Sequence, residues 1–77
     1  MGRKKPLTPG EIVVANIKYY QVTTGESDEA LYTAARMCRA TWYNRLRTPN
    51  TFMLSELLGI ARKLNIPLTT LISPKEA

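Results

Sequence analysis

Histidine is absent from these 77 residues, and cysteine occurs once, at Cys38. A single thiol cannot form an internal disulfide. One thiol and no imidazole leave no ligand set for zinc and no base for histidine-dependent catalysis. Acids are also scarce. Glu26, Asp28 and Glu29 cluster, while Glu11, Glu56 and Glu76 are scattered, so no acid–base pair in a pocket is expected. These shortages argue against an enzyme, a cofactor or a metal site. No apolar run approaches the roughly 18 residues of a membrane span. The basic start MGRKKP leads into LTPGE and not into an apolar stretch, so no signal peptide is expected and the cytosol is the expected location. Internal repeats, low-complexity segments and paired strand patterns are missing too.

What the chain does have is sorted positive charge. The net charge is +5, a balance that favours nucleic acid or another anionic surface as partner. Arg3, Lys4 and Lys5 form one cluster at the N-terminus. Arg36, Arg39, Arg45 and Arg47 form a second within RMCRATWYNRLRTP, residues 36–49, a stretch that contains no acid. A chain of this length supports one domain and one modest core, burying about 60% of the surface its unfolded form exposes. Short helices joined by tight turns suit that limit.

The pattern predicts five helices. Residues 1–7 read as a basic N-terminal arm. Thr8, Pro9 and Glu11 form a helix start, with Thr8 and Glu11 spaced as a capping box and Pro9 at the first helical position. Val13, Ile17 and Tyr20 share a face, and Thr23, Thr24 and Gly25 are expected to end this helix near residue 22. Ser27 caps a second helix, and Asp28 and Glu29 suit its positive end. Ala34 and Ala35 on that helix predict a close helix-to-helix contact. A turn at 36–38 leads into a third helix, 38–47, on which Trp42 and Leu46 share the inward face. Pro49 stops it. TPNT, 48–51, is a loop in which Asn50 or Thr51 is a candidate start for the fourth helix, about 53–64. Leu54, Leu57, Leu58, Ala61 and Leu64 form its predicted apolar stripe, and Gly59 is expected to cost it roughly 1 kcal/mol relative to alanine. Pro67 opens a last short helix carrying Leu68, Leu71 and Ile72, and 73–77 is a polar tail. The helix pair at 27–35 and 38–47 has helix-turn-helix proportions.

The stretch SDEALYTAARMCRATWYNRLRTPNTFMLSELLGIARKLNIPLTTLI resembles the lambda-repressor-like, Cro/XRE-type helix-turn-helix domains of phage and bacterial transcription regulators. It is nearest to a phage-associated branch with the pattern TFYRRL…P…F.L.EL..IA..L.I. Thr41, Trp42, Tyr43, Arg45, Leu46, Pro49, Phe52, Leu54, Glu56, Leu57, Ile60, Ala61, Leu64 and Ile66 carry that pattern here. The resemblance spans residues 8–72. It implies an all-α, compact five-helix domain whose third helix enters the DNA major groove. It places Cys38 at the start of that helix, where the family often has serine, Trp42 in the buried site and Met37 as the buried residue before the helix. By position, Arg39, Ala40, Tyr43 and Asn44 fall where contacts to bases and phosphates are usual. Three residues depart from the pattern. Arg36 stands where the turn usually has glycine, which implies a positive φ. Tyr32 replaces an alanine, so either the helices part or Tyr32 swings outward. Asp28 replaces a glutamine that touches phosphate, a contact an acid would oppose and that is not carried over.

The basic cluster admits two readings, a solvated helix face or a surface that meets DNA. On the second, Arg39 is the first base-reading candidate, since arginine binds guanine O6 and N7 with two bonds. Asn44 is the next, through adenine N6 and N7, and Ala40 and Tyr43 complete the base-facing set. Tyr43 has three readings: packing on a thymine methyl, bonding a phosphate, or plain exposure. Arg45 is either a flank contact or a bridge to Glu56. Arg47, Asn50 and Thr51, with Arg3, Lys4 and Lys5 of the arm, are the phosphate candidates, although the loop pair reads equally well as turn and capping residues and the arm as an inert basic end.

The expected function is sequence-specific binding of double-stranded DNA by a small Cro-like or repressor-like transcription regulator. Phosphate contacts would position it and helix 38–47 would read bases. A homodimer is the expected arrangement, through the fifth helix and tail or formed only on DNA. No membrane and no small-molecule ligand are expected. The alternative is a protein-interaction module on the same fold, such as a phage adaptor or antirepressor, which the acidic 26–29 segment keeps open.

Overall fold

The computed structural model of the chain describes residues 6–74. Its elements are α1 (Pro9–Thr24), α2 (Asp28–Ala34), α3 (Arg39–Arg47), a 3₁₀ turn (Pro49–Thr51), α4 (Leu54–Leu64) and α5 (Leu68–Ile72). The chain is thus all-helical over the described residues, with the five helices in the predicted order. None is long and apolar enough to cross a membrane.

The local signals act where the sequence puts them. Thr8 Oγ1 accepts the Glu11 amide at 3.2 Å, and Glu11 Oε1 accepts the Thr8 amide at 2.9 Å, so two orphan donors of the first turn are satisfied. Ser27 Oγ accepts the Ala30 amide at 3.0 Å at the start of α2. Helix α1 runs to Thr24, two residues past the predicted end near 22. The threonines do not break it, because Thr23 and Thr24 turn their hydroxyls back onto the Tyr20 carbonyl at 3.1 and 2.7 Å. Gly25, at φ 77°, closes the helix.

Helix α2 packs on α4, α1 lies against α5 and the 3₁₀ turn, and α5 closes on α4. Trp42, Ile17, Leu31, Ile60, Leu64 and Leu71 are wholly buried between them. Each such side chain contributes about 1.5–3 kcal/mol through removal from water. Trp42 is the largest. Tyr32 and Phe52 pack against it with ring centroids 6.3 Å away in each case. Tyr32 therefore does not swing free, but half-buries its ring on the tryptophan.

The close contact predicted from Ala34 and Ala35 is present, and its partner is Gly59. A Cβ at Gly59 would lie 2.7 Å from the Ala34 carbonyl oxygen and 2.8 Å from Ala35 Cα. The glycine that lowers the intrinsic helicity of α4 is what lets α2 approach it.

Two expectations for α4 need correction. Its buried residues include Glu56, Ile60, Ala61 and Leu64, with Leu57 partly covered, whereas Leu54 is 63% and Leu58 38% exposed. At about 100° per residue, Leu54 and Leu58 lie roughly 80° and 120° away from Leu64, on a flank that no other helix covers. Nor does Asn50 or Thr51 start α4. The N-cap is Met53, and Glu56 reaches back to its amide at 2.9 Å. Thr51 instead donates to the Thr48 carbonyl at 2.6 Å, and Asn50 turns to α1.

One buried polar residue has no counterpart in the sequence reading. Asn16 is 1% exposed on the inner face of α1. Its Nδ2 donates to the carbonyls of Leu71 (2.7 Å), Ser73 (2.8 Å) and Thr70 (3.3 Å), capping the C-terminal end of α5 from another helix. Ser73, the first residue of the polar tail, is thereby tied to the body.

Candidate nucleic-acid interface

Trp42 sets the orientation of α3. With its ring buried, the 100° step between residues puts Ala40, Asn44 and Arg47 across the opposite side, with Tyr43 and Arg39 about 100° and 60° round the helix along one edge of it. All five are exposed. Thr41 and Arg45 fall on the flank. The inward grip is reinforced by Leu46, partly buried against the core, and by Met37, 9% exposed at the entrance to the helix.

The α2–α3 connection is tight. Arg36 has φ 61°, the left-handed conformation implied by its place in the turn. The Met37 amide donates to the Tyr32 carbonyl at 2.8 Å and the Arg36 amide to the Thr33 carbonyl at 3.0 Å. This paired closure ends α2 through a left-handed residue, and here that residue is an arginine with its side chain in solvent. Cys38 is the N-cap of α3 without a side-chain bond to the helix backbone, and its Sγ lies 3.3 Å from Thr41 Oγ1. The Thr41 hydroxyl, and then the backbone amides, hold the exposed thiol below its ordinary pKa.

The charges on the face are unequal. Arg45 is committed to structure. Its Nε and Nη2 donate to Glu56 Oε1 and Oε2 at 3.0 and 3.1 Å, a two-bond fork. Of the two sequence readings of Arg45, this is the bridge. Burial raises the Glu56 pKa, but the Arg45 fork and the Met53 amide outweigh it and the net shift is downward. Arg36, Arg39 and Arg47 have no carboxylate partner among the described residues. Arg47 Nη2 donates to Asn44 Oδ1, which joins the last turn of the face into one unit. The Arg39 guanidinium carbon sits 5.9 Å from the centre of the Tyr43 ring, within the range of a cation–π contact.

Asp28, at the start of α2, touches this face in a way that linear spacing does not reveal. Its Oδ2 accepts the Tyr43 hydroxyl at 3.1 Å and its Oδ1 accepts Gln21 Nε2 at 2.6 Å. Gln21 Nε2 also reaches the Glu26 carbonyl at 3.3 Å. The Gln21 bond, ahead of the opposing effect of burial, holds Asp28 below its usual carboxylate range, and the Tyr43 hydroxyl and Trp42 indole act in the same direction. The Trp42 N–H nonetheless makes no hydrogen bond of normal geometry and is a buried donor without a partner. Tyr43 is shifted the opposite way, its pKa raised chiefly because its hydroxyl donates a hydrogen bond to Asp28.

The remaining candidates divide. Asn50 accepts the Gly10 amide at 2.8 Å and donates to Thr8 Oγ1 at 3.1 Å, which locks the 3₁₀ turn to the start of α1. Thr51 is exposed beside it, its hydroxyl on Thr48. Arg3, Lys4 and Lys5 lie outside the described residues. Gln21 was not anticipated, because only the fold brings α1 to the start of α2 and to α3.

No family model, curated protein or solved structure matches the chain.

Proposed function

We propose that the protein is a sequence-specific double-stranded DNA-binding regulator of the Cro-like or repressor-like type, on a lambda-repressor-like helix-turn-helix fold, with α3 as the reading helix. The observation that carries this reading is the outer side of α3. Arg39, Ala40, Tyr43, Asn44 and Arg47 are exposed together there, the helix is anchored by a buried tryptophan, and Arg39 and Arg47 lack acidic partners among the described residues. Long donor-bearing side chains around one small residue suit a helix that must sit close to base edges. On this reading Arg39 meets a guanine and Asn44 an adenine. On the same reading Arg36 and Arg47, near the two ends of α3, meet phosphates. Asp28 keeps its negative charge beside this surface, with its oxygens held by Gln21 and Tyr43 and so turned to the protein.

Two copies reading half-sites one helical turn apart belong to the same proposal. Ile72, 44% exposed, is the exposed large apolar residue on α5, the helix expected to form that contact.

The test is selection of duplexes from a random pool, followed by salt titration on the selected site. Log K should fall steeply and linearly with log salt. Arg39→Ala should relax preference at one base pair by about 1–3 kcal/mol, while Arg47→Ala should weaken all sequences alike and lower the salt slope by about one. A purified protein that enriches no duplex at moderate salt would exclude this reading and favour the protein-interaction alternative.

A further inference from the structure

The Tyr43 hydroxyl sits among the exposed groups of α3, yet its proton is already engaged. It donates to Asp28 Oδ2 at 3.1 Å, and the other oxygen of that carboxylate is held by Gln21 Nε2 at 2.6 Å. Gln21 is itself fixed by its bond to the Glu26 carbonyl at 3.3 Å. A phenol has one donor and two acceptor positions. With the donor taken, the oxygen that Tyr43 offers outward can only accept.

That restriction discriminates among the partners a groove-facing tyrosine meets. Phosphate oxygens are acceptors and carry negative charge, so a hydroxyl backed by a carboxylate is poorly suited to them. On base edges in the major groove, the donors are the adenine N6 and cytosine N4 amino groups; guanine O6 and N7 and thymine O4 are acceptors. We propose that Asp28 is a positioning residue that makes Tyr43 an acceptor-only reader, so that α3 selects adenine or cytosine over guanine or thymine at one position on the strand it faces.

This rests on the DNA-reading role of α3 and adds a specificity to it. Arg39 imposes the complementary demand. Its guanidinium lies over the Tyr43 ring, 5.9 Å from the centre, and it has donors only, which suits guanine. The two residues are four apart on one face, about 6 Å along the helix axis. Base pairs rise about 3.4 Å. The site therefore carries a guanine within one or two base pairs of an adenine or cytosine, the first read by Arg39 and the second by Tyr43.

The experiment uses the full chain and its Tyr43→Phe and Asp28→Ala variants. Each is run through the same random-duplex selection. Binding is then measured on the wild-type site with all four bases placed at every position. The wild type is expected to hold one position at which adenine or cytosine exceeds guanine or thymine by about 3- to 10-fold, the range of one neutral hydrogen bond. Tyr43→Phe should bring that ratio to about one, leaving the guanine preference of Arg39 and the salt slope in place. Asp28→Ala frees the hydroxyl to donate and should raise binding to guanine or thymine at that same position. A purely structural or purely electrostatic role for Asp28 would shift affinity for every sequence together, down or up, and leave the base ratio unchanged. Tyr43→Phe removes the hydroxyl and leaves Asp28 Oδ2 without that donor, which changes affinity for every sequence alike, so the base ratio still decides the issue even if Asp28→Ala does not fold. An unchanged ratio in Tyr43→Phe, or in a folded Asp28→Ala, overturns the inference while the DNA-reading role stands. A wild type that selects no duplex overturns both.

Discussion

Arg36 carries the clearest conflict between a residue and its backbone. The turn needs a left-handed conformation, and the chain supplies a side chain with a Cβ at φ 61°. For a non-glycine residue that conformation costs on the order of 1–2 kcal/mol, partly offset because glycine is freer in the unfolded chain. Arg36→Gly is therefore expected to stabilise the domain by about 0.5–1 kcal/mol, raising the melting temperature by a few degrees in a thermal scan. If Arg36 also meets phosphate, the same variant binds duplex more weakly with a shallower salt slope, so stability and affinity move in opposite directions. Asn16 is the reverse case, a polar residue on a core face that the structure uses fully. Asn16→Leu keeps the size but withdraws the donor from the carbonyls of Thr70, Leu71 and Ser73. Buried carbonyls left unpaired cost about 1–3 kcal/mol. A denaturant midpoint unchanged within error would show that α5 does not depend on this cap. The apolar periodicity of α1 was legible at Val13, Ile17 and Tyr20. The role of Asn16 was not, since nothing local links it to carbonyls more than fifty residues away.

Among the helices, the structure reverses the sign of one simple inference. Judged by propensity, Gly59→Ala should strengthen α4 by roughly 1 kcal/mol. The Ala34 and Ala35 backbone stands within 2.8 Å of where that Cβ would go. Backbone in two packed helices yields little, and overpacking of this kind costs about 1–3 kcal/mol. Gly59→Ala is expected to destabilise the domain, with a lowered urea midpoint at unchanged m-value. Gly10 stands in the same relation to the 3₁₀ turn, where a Cβ would run into the backbone of Pro49 and Asn50. The α4 stripe illustrates the limit of pattern reading in another way. Leucines at 54, 57, 58 and 64 fit a helical repeat, but which flank is covered depends on where α2 and α5 lie. Those helices cover Ile60 and Leu64 and leave Leu54 to solvent.

On the scale of the whole molecule, two carboxylates link fold to charge. Asp28 and Glu56 both ionise more readily in the folded chain than ordinarily, through Gln21 and Arg45 respectively. A lowered folded pKa means that the added stability is fully present above the unfolded value, near 4 for carboxylates. It is lost as pH falls through the folded value. Melting temperature should hold near neutral pH and drop below about pH 4. Glu56→Gln should flatten part of that drop, while costing stability at pH 7 because the fork to Arg45 is lost. A pH profile that keeps its full steepness in Glu56→Gln would show that the Arg45–Glu56 pair is not its source. The arginines of residues 36–49 thus separate by duty: Arg45 holds α3 to α4, and the rest stay available on the surface.

The number and order of the helices, the capping box at Thr8, the buried side of α3 at Trp42 and the sorting of charge were determined by the sequence alone. Each depends on spacing within about one or two turns, and a chain read residue by residue contains that information. Tertiary structure decided which glycine is a contact and not a weakness, which leucines stay wet, and which of the alternative duties Arg45 and Asn50 take up. It also decided that the Tyr43 hydroxyl donates its hydrogen bond to Asp28, fifteen residues away. These are distances between groups that meet only when helices pack. Period and propensity are local properties, and they carry no measure of how close two helices come.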